Sequence, residues 1–350
     1  MEKHDRSLDR AMENILPSCM LTIKKICVLV SISLFTFGSL DAQTAEQPGR
    51  THGFSISPLF GIIYGQAEEI VYKSSVSDDY LSELLWDLKP LLYTGFAADF
   101  GPKNPFLHSG FFAAASVKFG LPLRTGFMEN RDWFNDTHNH FTNFSRHEAF
   151  SRNAILLDLS AGVSWRLSSS LVLRTFAEFT FMHFSWSAEN GFVQHPAPPW
   201  ANAPPWNENL PKIWVHGPVV LYTQNWFILS PGFSLKARPG NAFSIEGKIN
   251  YSPLIYCRAR DDHLLRDTIF FDEMFFGHYI NGGLRFIFSP RNNLDLSLSA
   301  SYRFITGTRG NTYMERTGVN VIRWPVRHFN TAGAGYSALD LGFRLTVRIN

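Results

Sequence analysis

Two stretches near the C-terminus restrict the fold more than any other feature: Leu294-Asp-Leu-Ser-Leu-Ser-Ala-Ser-Tyr-Arg-Phe304 and Leu339-Asp-Leu-Gly-Phe-Arg-Leu-Thr-Val-Arg-Ile349. Successive residues of a strand point to opposite faces, so each stretch sets a purely apolar face against one carrying Asp295, Arg303, Asp340, Arg344 and Arg348. With them, ten alternating segments can be read, roughly 54–65, 84–101, 110–123, 154–167, 171–187, 219–236, 243–260, 277–289, 294–306 and 332–350. Their connections alternate. Tight turns at 102–105, 168–170, 238–241 and 290–293 interleave with long segments near 66–83, 124–153, 188–218, 261–276 and 307–331. A soluble sandwich would also alternate, but with its polar face outside. Strand length, alternating connections and the export signal described next favour an all-β chain, a ten-stranded antiparallel up-and-down transmembrane β-barrel with short periplasmic turns and long extracellular loops.

The N-terminal region supports export. Residues 20–37 combine a basic start at Lys24 and Lys25 with a short apolar run, followed by a cleavage stretch at 38–42, so residues 1–42 read as a signal peptide region with Met20 as the expected true start. Residues 43–53 form a polar lead-in, and 54–350 a single barrel domain. Cys19 and Cys27 would leave with the signal, which leaves Cys257 alone and no intrachain disulfide. A net charge of +2 gives no basis for nucleic-acid binding. The Pro- and Trp-rich run from His195 to Trp206 reads as a semi-rigid rim loop.

The chemistry gathers at the long-loop end. Asp261 and His263, two apart, can share a face, with the carboxylate orienting the imidazole. Asn130 and Asp132 lie above the third segment, four places away in a ring of ten and so on the opposite wall. Glu69 lies above the first. Parity turns Asn130 and Asp132 inward, because the odd residues of the third segment, such as Ala113, Val117 and Phe119, are apolar. The same counting in the seventh segment, from Phe243, Ile245, Ile249 and Tyr251, turns Asp261 and His263 outward. A phase break is therefore expected between Tyr251 and Asp261, with Pro253 as its site because proline cannot donate to a ladder.

Several fragments, in order and spacing together, resemble the omptins, outer-membrane endopeptidases built as ten-stranded barrels. They are Gly65-Gln-Ala-Glu-Glu69-Ile-Val-Tyr72, Leu81 to Trp86, Met128-Glu-Asn-Arg-Asp-Trp133, Ser145-Arg-His147, Tyr251-Ser252 through Asp261-Asp-His263, Gly310-Asn-Thr312 and Gly333-Ala-Gly335. The resemblance implies a water held between a carboxylate pair and an Asp and His pair at the extracellular barrel mouth. His263 would take its proton and Asp261 would hold the imidazole. Asn130 and Asp132 would form the opposing wall, Glu69 would bind substrate, and Ser145 and His147 would support the cleft from behind. It also implies peptide or protein substrates at the cell surface of a bacterium, contact with outer-membrane lipid, and a monomer.

Three departures matter. Asn130 stands where the family has Asp, which removes a negative charge and predicts weaker catalysis. Ala259 stands where a second acid of a basic-residue pocket is expected, so the preference for Arg or Lys should loosen. The arginines that clamp lipid A phosphates are not evident near His183 and Gln224 to Trp226, which leaves no firm expectation of a lipopolysaccharide or other lipid requirement. No cofactor is expected. His138, His140 and His147 suggest a metal cluster, but no fourth ligand lies close by in sequence. The alternative function is a catalytically weak or inactive barrel acting as an adhesin or surface-binding protein.

Overall fold

The computed structural model describes residues 52–135, 138–196, 202–240, 242–291, 293–316 and 326–349; the expected signal region and most of the lead-in lie outside them. Among the described residues fourteen strands form one antiparallel sheet. They are β1 (His52–Tyr72), β2 (Tyr80–Pro102), β3 (Gly110–Gly120), β4 (Arg124–Asp132), β5 (Asn143–Arg166), β6 (Leu171–Gln194), β7 (Ile213–Ala237), β8 (Phe243–Ser252), β9 (Ile255–His263), β10 (Thr268–Phe275), β11 (His278–Arg291), β12 (Leu294–Thr306), β13 (Arg309–Arg316) and β14 (Val326–Ile349). Four pairs, β3 with β4, β8 with β9, β11 with β10 and β12 with β13, each make one broken stave between the same two neighbours. The fourteen strands therefore form a ring of ten, in which β14 pairs back onto β1 from Phe54↔Ile349 to Val71↔Ala332.

The outer face explains the alternation. Phe54, Ile56 and Phe60 on β1, Phe243, Ile245 and Ile249 on β8, and Leu339, Leu341 and Phe343 on β14 all point outward and are exposed, forming an apolar belt. Inward positions at the same levels are charged and paired. Arg303 Nη2 donates to Asp158 Oδ2 at 2.6 Å, Tyr93 Oη donates to Asp340 Oδ1 at 2.8 Å, and Arg348 bridges to Asp295. Buried charges without partners would be costly, so a polar lumen persists only as such a network.

Beyond the belt the strands continue. The outer face there carries ion pairs, Arg260 with Asp262, Arg131 with Glu83 and Glu129, and Arg124 with Glu148. Charges on a lipid-facing surface are strongly disfavoured, so this tier stands clear of the membrane-spanning level. The expected long loops are corrected accordingly. The connection from β1 to β2 shrinks to 73–79, that from β4 to β5 to 133–142, and that from β9 to β10 to 264–267. These strand extensions carry polar residues on both faces, so the alternation that marks a lipid-facing strand is missing from them. Across the lumen beneath this tier runs a buried aromatic stack. Trp86 lies on Tyr222 at 5.2 Å, and Phe184 on Trp186 and Tyr336 at 5.4 Å each.

Candidate active site

The wall that carries Asp261 is made by a register break at the expected place. On β7, Gly232 faces Asn250 of β8 and Ile228 faces Ile255 of β9, so four steps on one strand match five on the other. The extra residue falls at Pro253–Leu254. Ser252 secures it, donating from Oγ to Leu229 O at 2.6 Å and accepting from Leu254 N at 2.9 Å. Below the break Phe243, Ile245 and Tyr251 point outward; above it Cys257, Ala259 and Asp261 are buried and Arg258 and Arg260 are exposed. The phase shift puts the odd positions of β9 inside.

The two adjacent staves absorb the same extra residue. Phe276 and Gly277 have φ of +62° and +142°, and Gly307 has φ of +70°. On the far side of these staves, Ile305 faces Tyr336 and Gly310 faces Ala332, again five steps against four. Thr308 bridges that irregularity, donating to Ala334 O at 2.6 Å and accepting from Ala334 N at 2.9 Å. One shift, spread over three staves, turns this whole wall of the upper tier.

His263 Nε2 donates to Asp261 Oδ2 at 2.6 Å. That bond leaves Nδ1 as the ring atom free to accept a proton. On the opposing wall Asp132 is 8% exposed, and Ser82 Oγ lies 2.8 Å from its Oδ1 and 3.0 Å from Asn130 Oδ1. Asn130 Nδ2 donates to Asp132 Oδ2 at 3.4 Å, so the amide supports the carboxylate where a second acid would repel it. Burial raises the Asp132 pKa, opposed by Ser82, Arg266, Asn130 and His263.

Both walls line one cleft of about 470 Å³, which includes Asn130, Asp132, Ser145, His147, His263 and Arg266. Ser145 is the cross-strand partner of Asn130. His147 Nδ1 donates to Asn190 O at 2.5 Å, and burial lowers its pKa against the opposing effect of that bond. His138 and His140 stay in the loop with rings 5.7 Å apart, His140 Nε2 lying 3.2 Å from Ala203 O. The loop around Trp206 packs on Phe141 and Phe144 at 5.4 and 5.1 Å.

Glu69 lies elsewhere than expected. It is 3% exposed, is not among the residues lining the cleft, and packs against Asp261 and Asp272. Asp272, on β10, is the residue that sequence reading missed. It faces Ala259 across the strand pair and is 4% exposed. A carboxylate therefore stands on β10 at the level of Ala259. Among the described residues, Glu69 Oε2, Asp261 Oδ1 and Asp272 Oδ1 have no hydrogen-bond partner. Burial first, then the neighbouring carboxylates, raises Glu69 well above its usual value; burial and Asp261 raise Asp272 to about 7 despite a hydrogen bond from Thr312. Pattern alone does not mark Asp272, because β10 lacks a clean alternation, and Arg266 lies in the 264–267 connection, where no period fixes a side chain's direction.

The omptin family model matches residues 50–347. The chain belongs to the omptin family. The plasminogen activator of Yersinia pestis is 23% identical over 269 residues, covering 75% of this chain and 81% of that protein. The crystal structure of the outer membrane protease OmpT from Escherichia coli superposes with a TM-score of 0.76 at 16% identity, covering 88% of this chain and 99% of that one. As an omptin the chain is a bacterial outer-membrane β-barrel protein of a protease family. In this chain Asp261 and His263 are hydrogen-bonded, and the facing wall presents Asn130 beside Asp132.

Proposed function

We propose that this omptin is an endopeptidase, acting at the cell surface on peptides or proteins, with a water as nucleophile. The observation that carries the reading is one cleft lined by His263, itself bonded to Asp261, and by Asn130 and Asp132 on the other wall. A water between the walls would donate to His263 Nδ1 and to Asp132. As its oxygen attacks the scissile carbonyl, Nδ1 takes the proton, and Asp261 stabilises the resulting imidazolium through Nε2. The same proton then passes to the leaving amine as the tetrahedral carbon collapses. Asn130 holds Asp132 in place through its amide and carries no charge itself. Ser145 and His147 fill the wall behind them, and Glu69 bears on Asp261 from below. A monomer with its cleft extracellular and its belt in outer-membrane lipid suffices for this chemistry.

Purified, refolded protein incubated with a mixed peptide library tests the reading. Cleavage by wild type and its loss in His263→Ala are expected. If both leave every peptide intact, the peptidase reading fails and a non-catalytic surface-binding barrel takes its place.

A further inference from the structure

We propose that the cleft receives a large apolar side chain directly beside the scissile bond, in place of an Arg or Lys; this rests on the peptidase reading above. Apart from its reactive groups the cleft is lined by Met128, Phe134, Phe144, Val193, Val219 and Leu265, among other apolar residues. These come from β4, β5, β6 and β7 and from the loops after β4 and β9. About 470 Å³ is room for a large side chain together with the peptide bond it flanks.

The charges point the same way. Among the described residues the Arg or Lys on this lining is Arg266, which acts on Asp132 and repels an incoming basic group. Among the same residues the carboxylate on the lining is Asp132, already held by Ser82 and Asn130 and assigned to the water. Three inward acids near the reactive groups, Glu69, Asp261 and Asp272, are buried with exposures of 3%, 1% and 4%, and the residue facing Asp272 is Ala259. A basic side chain placed here would lose its hydration beside a like charge, whereas an apolar one would gain from leaving water.

Two measurements test this. Cleavage-site profiling of the library with wild-type protein is expected to show Leu, Met or Phe enriched about tenfold or more at one position flanking the cut. No apolar enrichment at either flank, or enrichment of Arg or Lys alone, overturns the proposal. The second does not depend on turnover: equilibrium binding to His263→Ala of two blocked peptides differing only by Phe or Arg at that position. When no cleavage occurs, the pair is varied at a central position. The Phe peptide is expected to bind about tenfold or more tighter, and Arg266→Glu to narrow the difference by favouring the Arg peptide. Equal binding, or tighter binding of the Arg peptide to the Arg266-containing protein, overturns it, whether or not the wild type is a peptidase.

Discussion

At the scale of single residues, each reactive group depends on an immediate neighbour. Asp261 fixes which nitrogen of His263 carries a proton, so Asp261→Asn should lower kcat by about 10²- to 10⁴-fold with little change in KM, measured on the best library peptide. A matching rise in KM would place Asp261 in substrate binding instead. Asn130→Asp adds a negative charge facing His263. The added charge favours the imidazolium that forms as the water is deprotonated, so kcat should rise on the best library peptide. An unchanged kcat would show that position 130 does not act on His263.

The buried carboxylates give a third expectation. Asp272 stands at about 7 in the folded protein against 3.8 for a free side chain, because burial and Asp261 oppose its charge. Between those values the folded state binds more protons than the unfolded, so stability falls as pH rises through this window. Asp272→Asn should therefore stabilise the protein at pH 8 by a few kcal/mol, on the order implied by such a shift, and have little effect at pH 4. Urea unfolding in lipid vesicles at the two pH values measures it; equal effects would remove Asp272 as the source. As a candidate set, Asp261, His263, Asn130 and Asp132 can be read from the chain because their types and spacings fit a hydrolytic arrangement, and His263, Asn130 and Asp132 line one cleft. Asp272 cannot be read in this way, because its role comes from lying opposite Ala259 on another strand.

At the scale of elements, the break in the wall decides which face carries the chemistry. Proline at 253 announced it in sequence, but the compensating irregularities at Phe276–Gly277 and Gly307–Thr308 had no comparable mark. They follow from pairing, since a neighbour must take up the extra residue or lose its register. Gly277 has φ of +142°, and a Cβ there would lie 2.8 Å from Thr306 O and 2.9 Å from Thr308 Cγ2. Gly277→Ala should cost about 1–3 kcal/mol in unfolding experiments and reduce activity through the displaced β9 and β10. A neutral substitution would mean that the break tolerates other geometries. The strand extensions above the belt were hidden for a related reason: with water on the outside and polar groups set among apolar ones inside, neither face is uniformly apolar in sequence.

At the scale of the molecule, the apolar belt and charged lumen make the barrel readable from composition along each strand. Leu298, outward and 62% exposed near the middle of β12, samples the belt directly. Leu298→Arg should destabilise the barrel by about 2–4 kcal/mol in lipid vesicles, while Arg on the outer face of β9, already occupied by Arg258 and Arg260, costs little. Similar costs at both places would contradict the position of the belt.

The sequence by itself determined the antiparallel ring, its apolar exterior and the candidate residues proposed for hydrolysis, because a period of two and a pair of groups two apart are local properties of a strand. Proline at 253 marked where the wall changes phase, but only the tertiary structure decided how three staves share that shift, that Glu69 is buried off the cleft lining, and that Asp272 lies opposite Ala259 on the next strand. Those outcomes depend on register between strands far apart in the chain, and one extra residue in a pairing reverses every face beyond it.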